Sequence, residues 1–169
     1  TLASFDFAQV PNLAREQIEA LAGCLDWTRQ ARNVLLFGPS GVGKTHLATA
    51  LGYAACLQGL SVRFATAIEV VNTLVAAERG GRLKPALESY RKPALLILDE
   101  LGYLPIDKTG ADLLFQILSQ RYEQGATVIT SNRAYKDWAE IFNHDATLTS
   151  ALLDRLLHHA ETALIEGQS

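Results

Sequence analysis

The stretch Gly38-Pro39-Ser40-Gly41-Val42-Gly43-Lys44-Thr45 decides the fold that this sequence predicts. It fits the pattern G-x-x-x-x-G-K-[ST], which forms a loop around nucleotide phosphates. An apolar run at residues 34–37 precedes it, and a helical pattern over residues 46–57 follows it. The pattern therefore lies between a strand and a helix, as a phosphate-binding loop requires. The alternative is a glycine-rich turn before a buried helix.

The residue types of this loop indicate how it would hold a nucleoside triphosphate. Its glycines let backbone N–H groups approach phosphates closely, and the following helix presents its positive amino end. We expect Lys44 to reach the β- and γ-phosphates and the Thr45 hydroxyl to ligate Mg²⁺. The segment around Phe5 and Phe7 is predicted either to pack in the core or to cover the base. The candidate contacts to ATP or ADP are Gly38, Pro39, Ser40, Gly41, Val42, Gly43, Lys44, Thr45, His46 and Phe7.

The composition is that of an ordinary globular protein. The 169 residues suit one α/β domain, and the apolar fraction is 49%. No apolar run approaches the ~20 residues of a membrane span and no signal peptide begins the chain, so we predict a cytoplasmic protein with no membrane partner. Cys24 and Cys56 lack disulfide or metal-ligand spacing and are expected to be buried thiols. Because the net charge is −3, any contact with nucleic acid needs a local basic patch.

Strand and helix patterns alternate along the chain. The predicted strands are residues 34–37, 61–65, 95–100, 127–130 and 162–165. The main predicted helices are residues 13–28, 46–57, 109–124 and 148–159, with a further one beginning after Thr66. This alternation predicts an α/β fold, a parallel five-stranded sheet flanked by helices, in a single domain over residues 1–169.

Two carboxylates, Asp99 and Glu100, end the apolar strand predicted at residues 95–100. Asp99 is placed to hold Mg²⁺ together with Thr45. Glu100 can polarise a water molecule in line with the γ-phosphate, which favours hydrolysis over transfer to an acceptor. The alternative is a solvated acidic pair at a strand end.

Two further polar residues, Asn132 and Arg155, complete a predicted catalytic set with Lys44 and Glu100. Asn132 follows a strand end and either orients the attacking water or serves as a turn residue. Arg155 stands in an apolar helical run and either pairs locally with Asp154 or reaches the γ-phosphate of a neighbouring subunit. Such an arginine contributes roughly 10³–10⁵ in rate where it has been measured.

Several segments together resemble the IstB family, the AAA+ ATPase helpers of a class of bacterial insertion sequences, which are related to the helicase loader DnaC. The resemblance runs over residues 5–167. The segments that carry it are Gly-Pro-Ser-Gly-Val-Gly-Lys-Thr-His-Leu-Ala (38–48), Leu-Asp-Glu-Leu-Gly-Tyr-Leu-Pro (98–105), Arg-Tyr-Glu (121–123), Thr-Ser-Asn-Arg (130–133) and Ala-Leu-Leu-Asp-Arg-Leu-Leu-His-His-Ala (151–160).

The resemblance implies an AAA+, ASCE-type P-loop NTPase that hydrolyses ATP with Mg²⁺. Position by position, Lys44 and Thr45 match Walker A, Asp99 and Glu100 match Walker B, Asn132 matches sensor 1 and Arg155 matches the arginine finger. The expected assembly is a homo-oligomer on double-stranded DNA, with ATP sites between subunits. It would prepare the insertion target and recruit and stimulate an IstA-type transposase.

A basic stretch lies where such proteins commonly face nucleic acid, although a charge-rich connector can equally be a solvated surface. Its basic residues are Arg79, Arg82, Lys84, Arg91 and Lys92. His158 and His159 also match the family, and we interpret them as structural or interfacial residues rather than metal ligands.

The chain departs from the family pattern at both ends. It contains no Met, and the amino-terminal region and the carboxy-terminal second sensor arginine of the family have no counterpart in it. We therefore expect a fragment that binds nucleotide but hydrolyses it and assembles poorly. Two other functions are open: a replicative helicase loader of the DnaC type, and a nucleotide-gated DNA-binding module in which turnover is incidental.

Overall fold

A parallel five-stranded sheet forms the middle layer of the computed structural model, which describes residues 12–39, 41, 43–158 and 160–164. The strands are β1 Asn33–Phe37, β2 Val62–Thr66, β3 Leu95–Leu101, β4 Ala126–Ser131 and β5 Ala160–Leu164. Their order across the sheet is β2-β3-β4-β1-β5. The predicted fold is confirmed, and β4 lies between the strand that leads into the phosphate loop and the strand that carries the two carboxylates.

Helices cover both faces of this sheet. They are α1 Asn12–Gly23, α2 Asp26–Arg29, α3 Lys44–Leu57, α4 Ala67–Arg79, α5 Leu83–Arg91, α6 Lys108–Arg121, α7 Trp138–Ile141 and α8 Ala146–His158, with a short 3-10 turn at Tyr135–Asp137. Among the described residues, three of them have side-chain caps at their amino ends, and in α8 Asp145 Oδ1 accepts the Leu148 N–H at 2.9 Å. Thr66 Oγ1 accepts the Glu69 N–H of α4 at 3.2 Å, and Asp107 Oδ1 accepts the Gly110 N–H of α6 at 2.8 Å.

The alternation of side chains along the buried strands divides the core into two parts. On β1, Leu35 and Phe37 point into one part, whereas Val34 and Leu36 point into the other. The first part is closed by α4, α5, α6, α7 and α8, and the second by α1, α2 and α3. Both faces of the sheet are therefore covered, which explains why β1 and β3 carry continuous apolar runs.

Three local expectations were wrong. The helix predicted over residues 13–28 is two helices, because the chain turns after Gly23 and the Trp27 indole N–H donates back to Leu21 O at 2.9 Å. The cysteines are exposed rather than buried, since Cys24 lies in that break and Cys56 faces outward from α3. Residues 83–91, expected as a connector, form helix α5. Among the described residues, no helix combines the length and apolarity needed to cross a bilayer.

Candidate functional site

The loop after β1 has the backbone of a phosphate cradle. Gly41 and Gly43 have φ angles of 83° and 95°, in the left-handed region that glycine adopts without strain. Gly43 is also the residue at the amino end of α3, and no side chain of a described residue caps that end. The first N–H groups of α3 are therefore suited to bind an anion.

Lys44, the first residue of α3, places a buried positive charge inside this loop. Only 4% of the residue is exposed, and its Nζ donates to Gly38 O and Pro39 O at 2.7 Å each. A phosphate oxygen would give the ammonium a charge-assisted hydrogen bond, which is stronger than a bond to a neutral carbonyl. The loop thus fits a polyphosphate ligand.

Thr45 and Asp99 bring a hydroxyl and a carboxylate together beside the loop. Thr45 Oγ1 donates to the Asp99 carboxylate and lies 3.0 Å from each of its oxygens, although the two residues come from α3 and β3. Asp99 is only 2% exposed, and Thr130 Oγ1 on β4 is hydrogen-bonded to its Oδ1. Hard oxygen donors of this kind suit Mg²⁺. The residues present therefore fit the metal that the sequence predicts.

Glu100 differs from its neighbour in exposure and in backbone conformation. Asp99 is buried, whereas Glu100 faces solvent and has a φ of 61°, in the left-handed region. The pairing of β3 with β4 shifts at this point, from Leu98 opposite Ile129 to Leu101 opposite Ser131. A bulge of this kind re-aims a side chain beside a site.

Asn132 lies in the turn that follows β4, and the Ser131 side chain closes that turn. Ser131 Oγ accepts the Arg133 N–H at 3.1 Å and donates to Leu101 O at 2.6 Å. Asn132 is exposed, and its Oδ1 lies 3.2 Å from the point where a Cβ on Gly102 would stand. The turn therefore holds Asn132 close to the strand that carries Glu100.

The strand order brings most of the predicted catalytic residues to one edge of the sheet. The loop with Lys44 follows β1, Asn132 follows β4, and Asp99 and Glu100 lie near the end of β3. These three strands are neighbours, and ligands of open α/β sheets bind in the crevice beyond such strand ends.

Arg155 lies apart from this group. Its Nη1 donates to Ala151 O at 3.2 Å on its own helix, and its guanidinium carbon lies 5.2 Å from the centre of the Phe115 ring on α6. It lines an open groove of about 780 Å³ with Tyr122, Ser150, Ala151, Leu153, Asp154, Leu157 and His158. His158 is in contact with Tyr122 there, which agrees with a structural role.

The predicted basic stretch spans the end of α4, the turn after it and helix α5. Arg79, Arg82, Lys84 and Lys92 are exposed. Arg91 donates twice to the Glu88 carboxylate, at 2.7 and 2.5 Å, and these bonds lower the pKa of Glu88. The charge of Arg91 is thus locally paired, and the four exposed residues are the better candidates for a phosphate backbone.

The structure places two further residues near the predicted site residues, and some predicted residues lie outside the part of the chain that it describes. Thr130 Oγ1 is hydrogen-bonded to the Asp99 carboxylate and to the backbone N–H of Glu100. The ring centre of Tyr103 lies 6.0 Å from Lys44 Nζ. The signal for Thr130 was its place two residues before Asn132.

His46 is half-buried in the first turn of α3. Phe7, Ser40, Val42 and His159 lie outside the described residues.

Fold and site together define a P-loop NTPase of the AAA+ class, with an additional strand between β1 and β3. The solved structure of the DnaC helicase loader has the same fold, with a TM-score of 0.77 and 22% identity over 92% of this chain and 89% of that one.

The family model described as IstB-like ATP binding protein matches residues 1–169, and the chain belongs to that family. It is 44% identical over 169 residues to an insertion sequence IS21 ATP-binding protein of Pseudomonas aeruginosa. It is 40% identical over 169 residues to the corresponding IS5376 protein of Geobacillus stearothermophilus. All of the chain is matched in both cases, and it spans 63% and 66% of these curated relatives. The predicted resemblance is confirmed.

Proposed function

We propose that this chain binds ATP with Mg²⁺ in the loop of residues 38–45 and hydrolyses it to ADP and phosphate. The observation that carries the proposal is the meeting of Thr45 and Asp99 at 3.0 Å beside the buried ammonium of Lys44. A hydroxyl, a carboxylate and a lysine on neighbouring elements form the set that P-loop NTPases use for metal and phosphate. The family to which the chain belongs is named for ATP binding, which supports the same conclusion.

Each side chain has a distinct task in this proposal. Bound Mg²⁺ supplies charge neutralisation at the β- and γ-phosphates. Lys44 holds the phosphate oxygens, and Thr45 and Asp99 fix the position of the metal. Glu100 accepts a hydrogen bond or a proton from the attacking water, and Asn132 orients that water from the neighbouring strand. Because Glu100 is exposed and Asp99 buried, the two carboxylates can take different roles.

Arg155 acts, in this proposal, on the nucleotide of a neighbouring subunit. Its contacts lie on α8 and α6. It also lines an open groove rather than the crevice at the strand ends. From that position, the guanidinium would act on a site that another copy of the chain completes. The active form would then be a homo-oligomer with ATP sites between subunits.

The substrate of the whole assembly is proposed to be double-stranded DNA at the target of an insertion sequence, with an IstA-type transposase as partner. The insertion-sequence relatives favour this over the helicase-loader alternative, since they are 40–44% identical whereas the DnaC loader is 22% identical. With a net charge of −3, DNA binding must rely on a local patch, for which Arg79, Arg82, Lys84 and Lys92 are the candidates.

Replacing Glu100 by Gln in the full chain tests the proposed hydrolysis. The amide keeps the size of the side chain but cannot take a proton, so we expect ATP affinity to persist while kcat falls by about 10²–10⁴-fold. Glu16→Gln is the matched control, because Glu16 is an exposed carboxylate on α1. An ATPase rate in Glu100→Gln equal to that of Glu16→Gln would contradict the proposal.

The same variant separates hydrolysis-driven action from the nucleotide-gated alternative. If transposase stimulation and DNA release both stop in Glu100→Gln, ATP turnover drives the cycle of DNA binding and release. If DNA binding and transposase stimulation continue through repeated cycles, ATP acts as a switch and its turnover is incidental. The readout is transposition in a reconstituted reaction with saturating ATP.

A further inference from the structure

Thr130 is a buried hydroxyl at the centre of the candidate site, and neither the motif nor the family name assigns it a role. It lies on β4 and is 1% exposed. Its Oγ1 accepts the backbone N–H of Glu100 at 2.9 Å and is also hydrogen-bonded to Asp99 Oδ1. One side chain on the neighbouring strand therefore touches both adjacent acidic residues of β3.

The direction of these two hydrogen bonds follows from the atoms involved. A backbone N–H can only donate, so Thr130 Oγ1 is the acceptor in its contact with Glu100. An ionised carboxylate can only accept, so the single hydroxyl proton of Thr130 goes to Asp99. The Thr45 hydroxyl also donates to Asp99, at 3.0 Å. The rotamer of the Asp99 carboxylate is thus held by two hydroxyl groups from different elements.

The contact with Glu100 supports a backbone conformation that a non-glycine residue rarely adopts. Glu100 has a φ of 61°, and the strand register shifts between Leu98 and Leu101. Such strain persists only where the surroundings fix it. Because the bulge interrupts the regular ladder, the Glu100 N–H bonds to the Thr130 side chain instead of a strand carbonyl.

We propose that Thr130 is a positioning residue that sets the Asp99 carboxylate for the metal and holds the Glu100 backbone in the conformation that presents its side chain to the attacking water. The inference rests on the proposed function and deepens it. Thr130 itself does not touch the nucleotide or the reacting atoms in this proposal. It acts only through the two acidic residues.

Three variants of the full chain test this proposal. Thr130→Val removes the hydroxyl at nearly constant volume, and Thr130→Ser keeps the hydroxyl but removes the methyl group. Thr127→Val is the control, because Thr127 is also a buried threonine on β4, with its hydroxyl bonded to Arg121 at 3.0 Å instead of to the site. The first measurement is the Mg²⁺ dependence of affinity for a fluorescent ATP analogue, and the second is kcat and KM for ATP hydrolysis.

We expect Thr130→Val to raise the half-saturating Mg²⁺ concentration and to lower kcat by about 10–100-fold each, with little change in KM. Thr130→Ser and Thr127→Val should retain the wild-type Mg²⁺ dependence. The inference is overturned if Thr130→Val keeps the wild-type Mg²⁺ dependence. It is also overturned if the half-saturating Mg²⁺ concentration and kcat change as much in Thr130→Ser as in Thr130→Val. The binding measurement decides this even if the wild-type protein hydrolyses no ATP, a result that would instead count against the proposed function.

Discussion

Gly102 is the residue that lets the Asn132 turn approach β3. Its φ is 97°, and an added Cβ would lie 2.8 Å from Arg133 Cγ, 3.0 Å from Ile141 Cδ1 and 3.2 Å from Asn132 Oδ1. A larger residue there would therefore press on the side chains of Asn132 and Arg133 in that turn. The proposed water-orienting role of Asn132 thus depends on a glycine two residues after Glu100.

Gly102→Ala should therefore lower kcat as well as stability. We expect kcat to fall by about 10-fold or more, because small displacements of positioning groups are costly to catalysis. Gly59→Ala is a matched control, since Gly59 also has a positive φ, 81°, but an added Cβ would meet nothing within 4 Å. Both changes should cost about 1–3 kcal/mol of backbone strain. Equal kcat values in the two variants would show that the Asn132 turn tolerates displacement.

The acidic pair illustrates how far the sequence predicts a site. An apolar run that ends in Asp99 and Glu100 was enough to place both at a strand end near the phosphate loop. The left-handed conformation of Glu100 could not be predicted, because it depends on the register with β4, a strand about 30 residues further along the chain. Thr130 was not predicted for the same reason, because its proposed role depends on hydrogen bonds to a neighbouring strand.

At the scale of the elements, Arg121 joins the ends of α6, α5 and β4. It is 2% exposed, and its guanidinium makes five hydrogen bonds, to Tyr90 O, Arg91 O, Pro93 O, Ala126 O and Thr127 Oγ1. Burial lowers the pKa of Arg121 to about 10, so the group is still protonated at neutral pH. The five acceptors compensate for the loss of water around this charge.

Arg121→Lys should therefore destabilise the fold although the charge is kept. Lysine has three donors on one atom and cannot reach acceptors on three elements at once. We expect a loss of about 3 kcal/mol in the free energy of unfolding, measured by urea denaturation. Arg29→Lys, at an exposed arginine with an ion pair to Asp26 at 3.8 Å, should change it by less than about 0.5 kcal/mol. A change below 1 kcal/mol in Arg121→Lys would contradict this role.

The secondary structure was predictable where its signal is local. The run of Leu and Ile in β3 and the helical pattern after the phosphate loop needed only neighbouring residues. Helix α5 was missed although Leu83, Leu87 and Tyr90 recur at helical spacing, because the charged residues around them favour a solvated connector. The outward position of Cys56 on α3 likewise depends on which face of that helix meets the sheet.

At the scale of the whole molecule, the strand order brings the phosphate loop, the acidic pair and Asn132 together in one candidate site. The alternation of strands and helices predicted a parallel sheet, but not that β4 would lie between β1 and β3. That insertion aligns Thr130 with Asp99 and puts Asn132 beside the phosphate loop. Arg155 lies on α8, in contact with Phe115 of α6.

Mixing two inactive variants tests whether neighbouring copies share this site. Lys44→Ala disables the phosphate loop of its own subunit, and Arg155→Ala disables only the site that its arginine would reach. In a head-to-tail assembly of equal amounts, roughly a quarter of the interfaces would combine an intact Lys44 with an intact Arg155. We therefore expect the mixture to regain up to about that share of wild-type ATPase activity in the presence of DNA. Lys44→Ala mixed with Asp99→Ala is the control, because both residues belong to one subunit's site and no interface can be repaired. Activity restored in the first mixture alone would establish a composite site. Full activity of Arg155→Ala before mixing, or equal failure of both mixtures, would contradict it.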